Sequence, residues 1–423
     1  MNNNPNQPKE FDGVLGGQVS PPLDGVVLGG LTGVKLRLQS TIIESRVAAV
    51  CEAINYGEAG LDLVIEALND SNKEVQHFAS KLLKKKGGVK AKQALLDYNP
   101  WIFFTTLQDW RIEDFDPEVG IINPVDTSYR LKIDWKKWIS PARFPELFEI
   151  FIQDPQVNYI EALLLPLGRD ISCEFCVKAL VESKEQVTNL KALYIGDMYD
   201  YEYKTSNVHL SNMSPILEAY PNLEVLQVRG FGCDYDAGLS FHALRHEYLK
   251  TLIIESGYML GCQVIDQICA LELPALEYLE LWLGNDELYP VWHYYEEEKY
   301  SFDDSAITNL MPIISGEVFP QLKYLGLRSS NYSDTIAKTI VKSSLINSLR
   351  VLDLSMGTLT TKGAILLLDC LRVKKLHTLN VSMNLVSKNM SKYMTKQLSQ
   401  VNCEVITEPQ AESAKYRYYV LTE

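Results

Sequence analysis

Residues 348–360 read SLRVLDLSMGTLT, and residues 375–387 read KLHTLNVSMNLVS, the same pattern displaced by 27 positions. In both, apolar residues hold three fixed places, Leu349-Leu352-Leu354 and Leu376-Leu379-Val381, with polar residues wedged between them. Recurrence at a period of roughly 20–50 residues marks a repeat architecture. Working outward with the template L-x-x-L-x-L, and allowing Ile and Val, six further copies appear. They are Ile160-Leu163-Leu165, Leu190-Leu193-Ile195, Leu223-Leu226-Val228, Leu249-Leu252-Ile254, Leu276-Leu279-Leu281 and Leu322-Leu325-Leu327. The intervals between first positions run 30, 33, 26, 27, 46, 27 and 27, so one repeat carries an insertion.

Within one copy, the last two apolar residues alternate as a strand does when one face is buried. Behind the strand come helix signals: Ser333-Asp334 opens TIAKTIVKSSLI, and Thr360-Thr361 opens KGAILLLDCLRV, both with apolar residues at helical spacing. One strand and one helix cannot bury their own core, whereas stacked copies can, with parallel strands on one side and helices on the other. The apolar triplet is therefore the core of each turn. The pattern over residues 156–408 resembles the leucine-rich repeat, in the longer helix-bearing form of ribonuclease-inhibitor-like proteins. The resemblance implies an α/β horseshoe with parallel strands inside and helices outside. One departure is visible: the family's asparagine five places after the second leucine occurs once, as Asn384, while Gly257, Gly284, Ser330 and Gly357 stand elsewhere. That departure predicts an irregular coil.

The N-terminal third has a different rhythm. Residues 40–97 hold helix-period segments with stripes Val47, Val50, Cys51, Ile54 and Leu61, Val64, Ile65, Leu68. Thr41-x-x-Glu44 and Ser71-x-x-Glu74 match capping boxes. These segments resemble a short HEAT-like module, a small all-α domain. Residues 1–39 form a Gly/Pro-rich lead whose glycine pairs, in DGVLGG (Asp12 to Gly17) and DGVVLGG (Asp24 to Gly30), match no phosphate-binding loop and mark turns. Residues 98–155, with Trp101, Trp110, Trp135 and Trp138, read as the atypical cap that an array's open end requires. Residues 409–423 form a tail.

A formal net charge of −14 argues against general nucleic-acid binding, which needs a basic surface. No apolar stretch is long enough to span a membrane, and MNNNPNQPKEFDG has no signal-peptide character. The eight scattered cysteines suit a reducing cytoplasm. The expected compartment is therefore cytoplasmic.

Signals for chemistry are weak. Cys173-x-x-Cys176 has metal spacing but no second ligand pair, and ISCEFCVKALVE reads as a repeat helix with buried thiols. His242 and His246, four apart, share one face if FHALRHEYL is helical, yet lack the H-E-x-x-H pattern. The run KLLKKKGGVKAK reads as a solvated helix C-terminus. No residue is assigned a catalytic or metal-binding role and no cofactor is implied.

Function is therefore sought on surfaces. Alternation turns the residues between the leucines to the exposed strand face, where the middle copies present Tyr194, Arg229, Glu255, Tyr278, Glu280, Trp282, Tyr324, Arg328 and Asp353. Tyr, Trp and Arg dominate interface hot spots. The long interval carries NDELYPVWHYYEEEKYSFDD, residues 285–304, which combines Trp292, Tyr294 and Tyr295 with seven acids and one lysine. The expectation is a non-enzymatic protein–protein interaction protein, resembling bacterial HEAT and leucine-rich-repeat scaffolds. Its partner would be a protein with a basic or mixed surface, met by the strand face and the insertion. Two alternatives stay open: a sensor subunit that signals to an associated effector, and an accessory protein acting on a cofactor-bearing protein.

Overall fold

The computed structural model describes residues 30–132, 143–168, 171–197, 208–231, 238–257, 259–284 and 304–411. Contacts divide the chain into two compact units, Met1–Phe103 and Phe104–Glu423.

The first unit is helical throughout its described part: α1 (Gly30–Leu38), α2 (Ile43–Ala53), α3 (Gly57–Glu66), α4 (Lys73–Lys86), α5 (Val89–Tyr98) and the single turn α6 (Pro100–Phe103). Helix α1 lies in the stretch read as a Gly/Pro-rich lead, whose glycine pairs otherwise fall outside the described residues apart from Gly30. Apolar stripes close the core through Val50, Val64, Val75, Ala79, Leu83 and Leu95. Cys51, read as part of the first stripe, is exposed. Neither capping box forms as expected. Helix α2 has no side-chain cap, and α4 is capped by Asn72, whose Oδ1 accepts from the Glu74 N–H at 2.8 Å. Asp70 before it accepts from the Asn72 N–H at 2.8 Å and from Arg46, through a fork of bonds at 2.9 and 3.1 Å that ties α2 to the turn before α4. Gly60 is required by close packing, since a Cβ there would sit 1.8 Å from the Ala53 carbonyl oxygen.

The second unit is built on one all-parallel sheet of eleven strands in sequence order. They are β1 (Arg111–Asp114), β2 (Thr127–Arg130), β3 (Ala162–Leu165), β4 (Ala192–Ile195), β5 (Val225–Gly230), β6 (Thr251–Ser256), β7 (Tyr278–Trp282), β8 (Tyr324–Arg328), β9 (Val351–Asp353), β10 (Thr378–Asn380) and β11 (Glu404–Ile406). Strands β3 to β10 are the eight copies read from the sequence. The second leucine of each copy pairs with that of the next, giving an unbroken row Leu163, Leu193, Leu226, Leu252, Leu279, Leu325, Leu352, Leu379. Tyr129 continues the row at one end and Val405 at the other. The 46-residue interval leaves this register undisturbed, because Tyr278 pairs directly with Tyr324.

Strands β1 and β2 lie in the stretch read as a cap, and neither has the L-x-x-L-x-L pattern. They are recruited by backbone pairing to β3, with Tyr129 and Leu131 supplying the buried side chains. Behind the sheet run α7 (Arg143–Ile152), α8 (Cys173–Glu182), α9 (Ser214–Ala219), α10 (Cys262–Cys269), α11 (Met311–Ser315), α12 (Ser333–Ile340), α13 (Thr361–Asp369) and α14 (Lys388–Ser399). Helices expected after Ser172 and Thr360 start there, with those side chains accepting from the Phe175 and Lys362 N–H groups. The stretch 238–250 is not helical, contrary to the reading of FHALRHEYL. The leucine rows and helix faces form one continuous apolar core. This is an α/β architecture compatible with a repeat solenoid.

The repeat is most regular at its C-terminal end. Ser329, Met356 and Met383, spaced by 27, each take a left-handed backbone (φ 54 to 63°) just after the strand. The single repeat asparagine, Asn384, is fully buried. Its Nδ2 donates to the carbonyls of Leu354, Val381 and Ser382, and its Oδ1 accepts from the Leu359 N–H at 2.8 Å. One repeat earlier Gly357 leaves room for the same job to be done by Ser333, whose Oγ accepts from Thr358 N–H and donates to the Ser330 carbonyl.

Candidate functional site

The second face of the strands, expected to be open, is filled by polar and aromatic side chains that bury one another. The arrangement follows from period-two alternation: Tyr278, Glu280 and Trp282 on β7 point to the same side, as do Tyr324, Gly326 and Arg328 on β8. The rings of Tyr278 and Tyr324 lie parallel, with centroids 3.7 Å apart. The stack needs Gly326, because a Cβ there would come within 2.9 Å of the Tyr324 ring and 3.1 Å of Glu280 Cγ.

Both tyrosine hydroxyls donate to Glu280 Oε2, at 2.7 and 3.0 Å. The other oxygen, Oε1, accepts from Trp282 Nε1 and Arg328 Nη1, both at 2.7 Å. Glu280 is therefore a buried carboxylate with four donors. Burial alone would raise its pKa, but Arg328 and the bonds from Trp282 and Tyr278 outweigh it and hold the carboxyl below its ordinary value.

Arg328 is the hub of the cluster. Its guanidinium sits over the Trp282 ring at 4.6 Å, donates to Ser355 Oγ at 3.0 Å, and lies 3.8 Å from Asp353 Oδ2. Asp353 also accepts from the Ser355 N–H and from Asn380 Nδ2, at 2.8 and 2.9 Å. Burial pushes its carboxyl up, and Arg328 and Ser355 offset this only in part. Burial and the nearby Glu280 likewise drive the Tyr278 and Tyr324 hydroxyls well above the usual phenol range, so both stay protonated as donors.

Three strands away a smaller cluster repeats the device. Arg229 Nε bonds Glu255 Oε2 at 2.7 Å and its guanidinium stands 5.7 Å from the Tyr194 ring centre. The Tyr194 hydroxyl donates to the same Glu255 oxygen at 3.4 Å. A third pair, Arg130 to Asp197 at 2.6 Å, extends the polar row toward β2.

The row nearest the strand starts is covered by a strap made of residues 104–110. Phe104 meets the edges of Tyr278 and Tyr324 with centroids at 5.3 and 5.9 Å. The Thr105 carbonyl accepts from Thr251 Oγ1. Trp110 packs on Ala162, Ala192 and Val225 and donates from Nε1 to Glu161 at 3.1 Å.

No protein-family model and no curated protein matches this chain. Among solved structures it is similar to the crystal structure of a Bacteroides fragilis protein. The identity is 25% and the TM-score 0.56, over 67% of this chain and 75% of that chain. The likeness supports the α/β repeat fold.

Of the residues expected at a surface, Tyr194, Glu255, Tyr278, Glu280, Trp282, Tyr324 and Asp353 are buried. This corrects the expectation of an open face: alternation put them on the right side of the strand, but they satisfy one another and lie partly under the strap. Only Arg229 and Arg328 keep about a quarter of the side chain open, 26% and 23%. Trp292, Tyr294 and Tyr295 lie outside the described residues, as do Trp135 and Trp138. Phe104 and Met356, whose Sδ accepts from Arg328 Nη2 at 3.2 Å, were not among the expected members of the cluster. Gly326 was the legible clue, since a glycine inside a strand signals close approach by another group.

The other candidates resolve locally. Cys173 and Cys176 are buried in α8, and burial pushes the Cys173 thiol up to about 11. His242 pairs with Glu218 at 2.8 Å, whereas His246 is buried, facing the Tyr220 carbonyl through Nε2 and the Leu249 N–H through Nδ1. Among the described residues, no cluster of three His, Cys, Asp or Glu could hold a metal ion, and no helix is long and apolar enough to cross a membrane.

Proposed function

We propose that this chain is a leucine-rich-repeat protein of the ribonuclease-inhibitor-like type, with a HEAT-like helical module ahead of it. In this reading it acts as a non-enzymatic cytoplasmic recognition protein. The observation that carries the reading is the pair of part-open guanidinium groups, Arg229 and Arg328. Each is held against an aromatic ring by a buried glutamate. Side chains locked in this way lose little freedom on binding, which is where much of the cost of association arises. The acceptor atoms of Glu280 are saturated, which suits a positioning role better than proton transfer.

The partner is a protein of mixed surface charge. Its acidic side chains would meet the two guanidinium groups, and its basic ones the acid-rich residues 285–304. Because Tyr278 and Trp282 are structural here, the test uses the half-buried Gln227 of β5 instead. Affinity capture from a bacterial lysate, read by mass spectrometry, compares the wild type with a Gln227→Arg variant of unchanged circular dichroism and melting temperature. A protein held by the wild type and lost with the folded variant supports the reading. Equal capture by both removes the strand face from it.

A further inference from the structure

The outward sides of helices α12, α13 and α14 are basic in an acidic chain. Residues 305–403 hold twelve Lys and Arg against four Asp and Glu, where the whole chain holds 40 against 54. Six of these cations are exposed lysines on the three helices or at their ends: Lys338, Lys342, Lys362, Lys388, Lys392 and Lys396. Among the described residues, none of the six is paired with a carboxylate. The one exposed acid on these helices is Asp369.

The lysines surround an apolar centre. The last two leucine intervals are both 27, and the capping residues Thr360 and Ser387 keep that spacing, so residues 27 apart stand side by side on neighbouring helices. Leu366 on α13 therefore stands beside Tyr393 on α14. Ile365 lies between Lys338 on one side and Lys392 on the other. Ile365, Leu366 and Tyr393 are 42%, 40% and 51% exposed. All of them lie opposite the buried sides of these helices, which are held by Ile336 and Ala337, Ala364 and Leu367, Met394 and Leu398. Leu371 follows α13 at 74% exposed, with Arg372 and Lys375 close behind it.

We propose that this face binds the surface of an anionic lipid bilayer, lying on it rather than crossing it. Contiguous exposed apolar side chains mark an interaction surface, and the residue types select the occupant. Protein interfaces are poor in lysine and rich in arginine and aromatic residues, whereas here the rim is lysine and the centre mostly aliphatic. A nucleic acid would be held through its phosphates, to which exposed leucines add nothing. Lysine carries a compact point charge on a flexible stem, which suits a diffuse layer of anionic headgroups. The stems let the ammonium groups stay at headgroup level while Ile365, Leu366 and Leu371 enter the acyl boundary.

Co-sedimentation of the untagged full chain with phosphatidylcholine vesicles, with and without phosphatidylglycerol, tests this. The expected result is binding to the anionic vesicles only, weakened by salt. Lys392→Gln with Lys396→Gln should weaken it about twentyfold, at about fivefold per lysine. Leu366→Ser with Leu371→Ser leaves the charge unchanged and should weaken it about tenfold through lost apolar burial. Both pairs lie at exposed positions, where substitution leaves stability nearly unchanged, and circular dichroism checks that each variant is folded. A wild type that ignores anionic vesicles at low salt overturns the proposal and leaves the face to an acidic protein. So does binding that the lysine pair leaves unchanged, which would place the contact elsewhere. Binding that only the lysine pair weakens also overturns it, by showing a contact open to any polyanion.

Discussion

On one face of strands β5 to β9 stand Leu226, Leu252, Leu279, Leu325 and Leu352, all with no exposed surface. On the other stand Glu255, Tyr278, Glu280, Trp282, Tyr324 and Asp353, nearly as deeply buried. The leucine face is non-directional: its side chains leave water against helices, and any side chain of similar volume serves nearly as well. The tyrosine and glutamate face is directional, because each buried donor and acceptor costs free energy unless its own partner is in place. A sheet can thus be stabilised on both sides by terms that fail in different ways, and the failures distinguish them.

The largest expected effect is on the polar side. Glu280→Ala strips a partner from two tyrosine hydroxyls, the Trp282 indole and the Arg328 guanidinium. Loss of one member of a buried ion pair costs about 3–5 kcal/mol, which urea unfolding of the variant would read. A loss below about 1 kcal/mol would show that the network is solvated and the contrast between faces false. Leu279→Ala, one residue away and facing the helices, is expected to cost about 2–5 kcal/mol through lost transfer energy and the cavity left behind. Leu279→Met should restore most of that loss. No isosteric change at Glu280 should do the same, Gln included, since an amide cannot accept four bonds.

Gly326→Ala sharpens the comparison at a single atom. The added methyl meets Tyr324 and Glu280 at 2.9 to 3.1 Å, so overpacking of about 1–3 kcal/mol is expected. The near-ultraviolet circular dichroism of the tyrosine stack should change with it. An unchanged spectrum would mean that the stack has slack.

The smallest effect is a pH dependence. Burial lowers the His246 pKa, and both ring nitrogens are engaged, Nε2 with a carbonyl and Nδ1 with an N–H. Only the neutral ring satisfies both. Unfolded histidine takes up a proton near pH ~6.5, so the stabilisation is present above that pH and is lost as the pH falls through it. Stability measured by urea titration should decline between about pH 7.5 and 5.5 more steeply in the wild type than in His246→Gln. Equal slopes would assign the decline to other groups.

Much of the sheet was legible because its register is written as spacing. A leucine recurring at near-constant intervals places each strand beside the last, and even the long interval before Leu322 left the ladder intact. Strands β1 and β2 were not legible: RIED and TSYR carry no repeat signature and become strands because β3 offers them an open edge. The helical caps failed for a related reason. At α4 the cap is Asn72, one place beyond the expected Ser71, which accepts from the Glu74 N–H, while Asp70 accepts both from the Asn72 N–H and from Arg46.

The candidate site shows the same division. Period-two alternation determined that Tyr278, Glu280, Trp282, Tyr324, Arg328 and Asp353 share one side of the sheet, because side-chain direction is a local property of an extended backbone. Whether that side is open is not a local property. It depends on Phe104, which lies 174 residues before Tyr278 in sequence yet touches its ring, and on carboxylates finding donors on neighbouring strands. Spacing along the chain determined strands β3 to β10, their order and their faces. Only the tertiary structure decided that the tyrosines, Trp282 and the carboxylates face one another, leaving two arginines at the boundary with water.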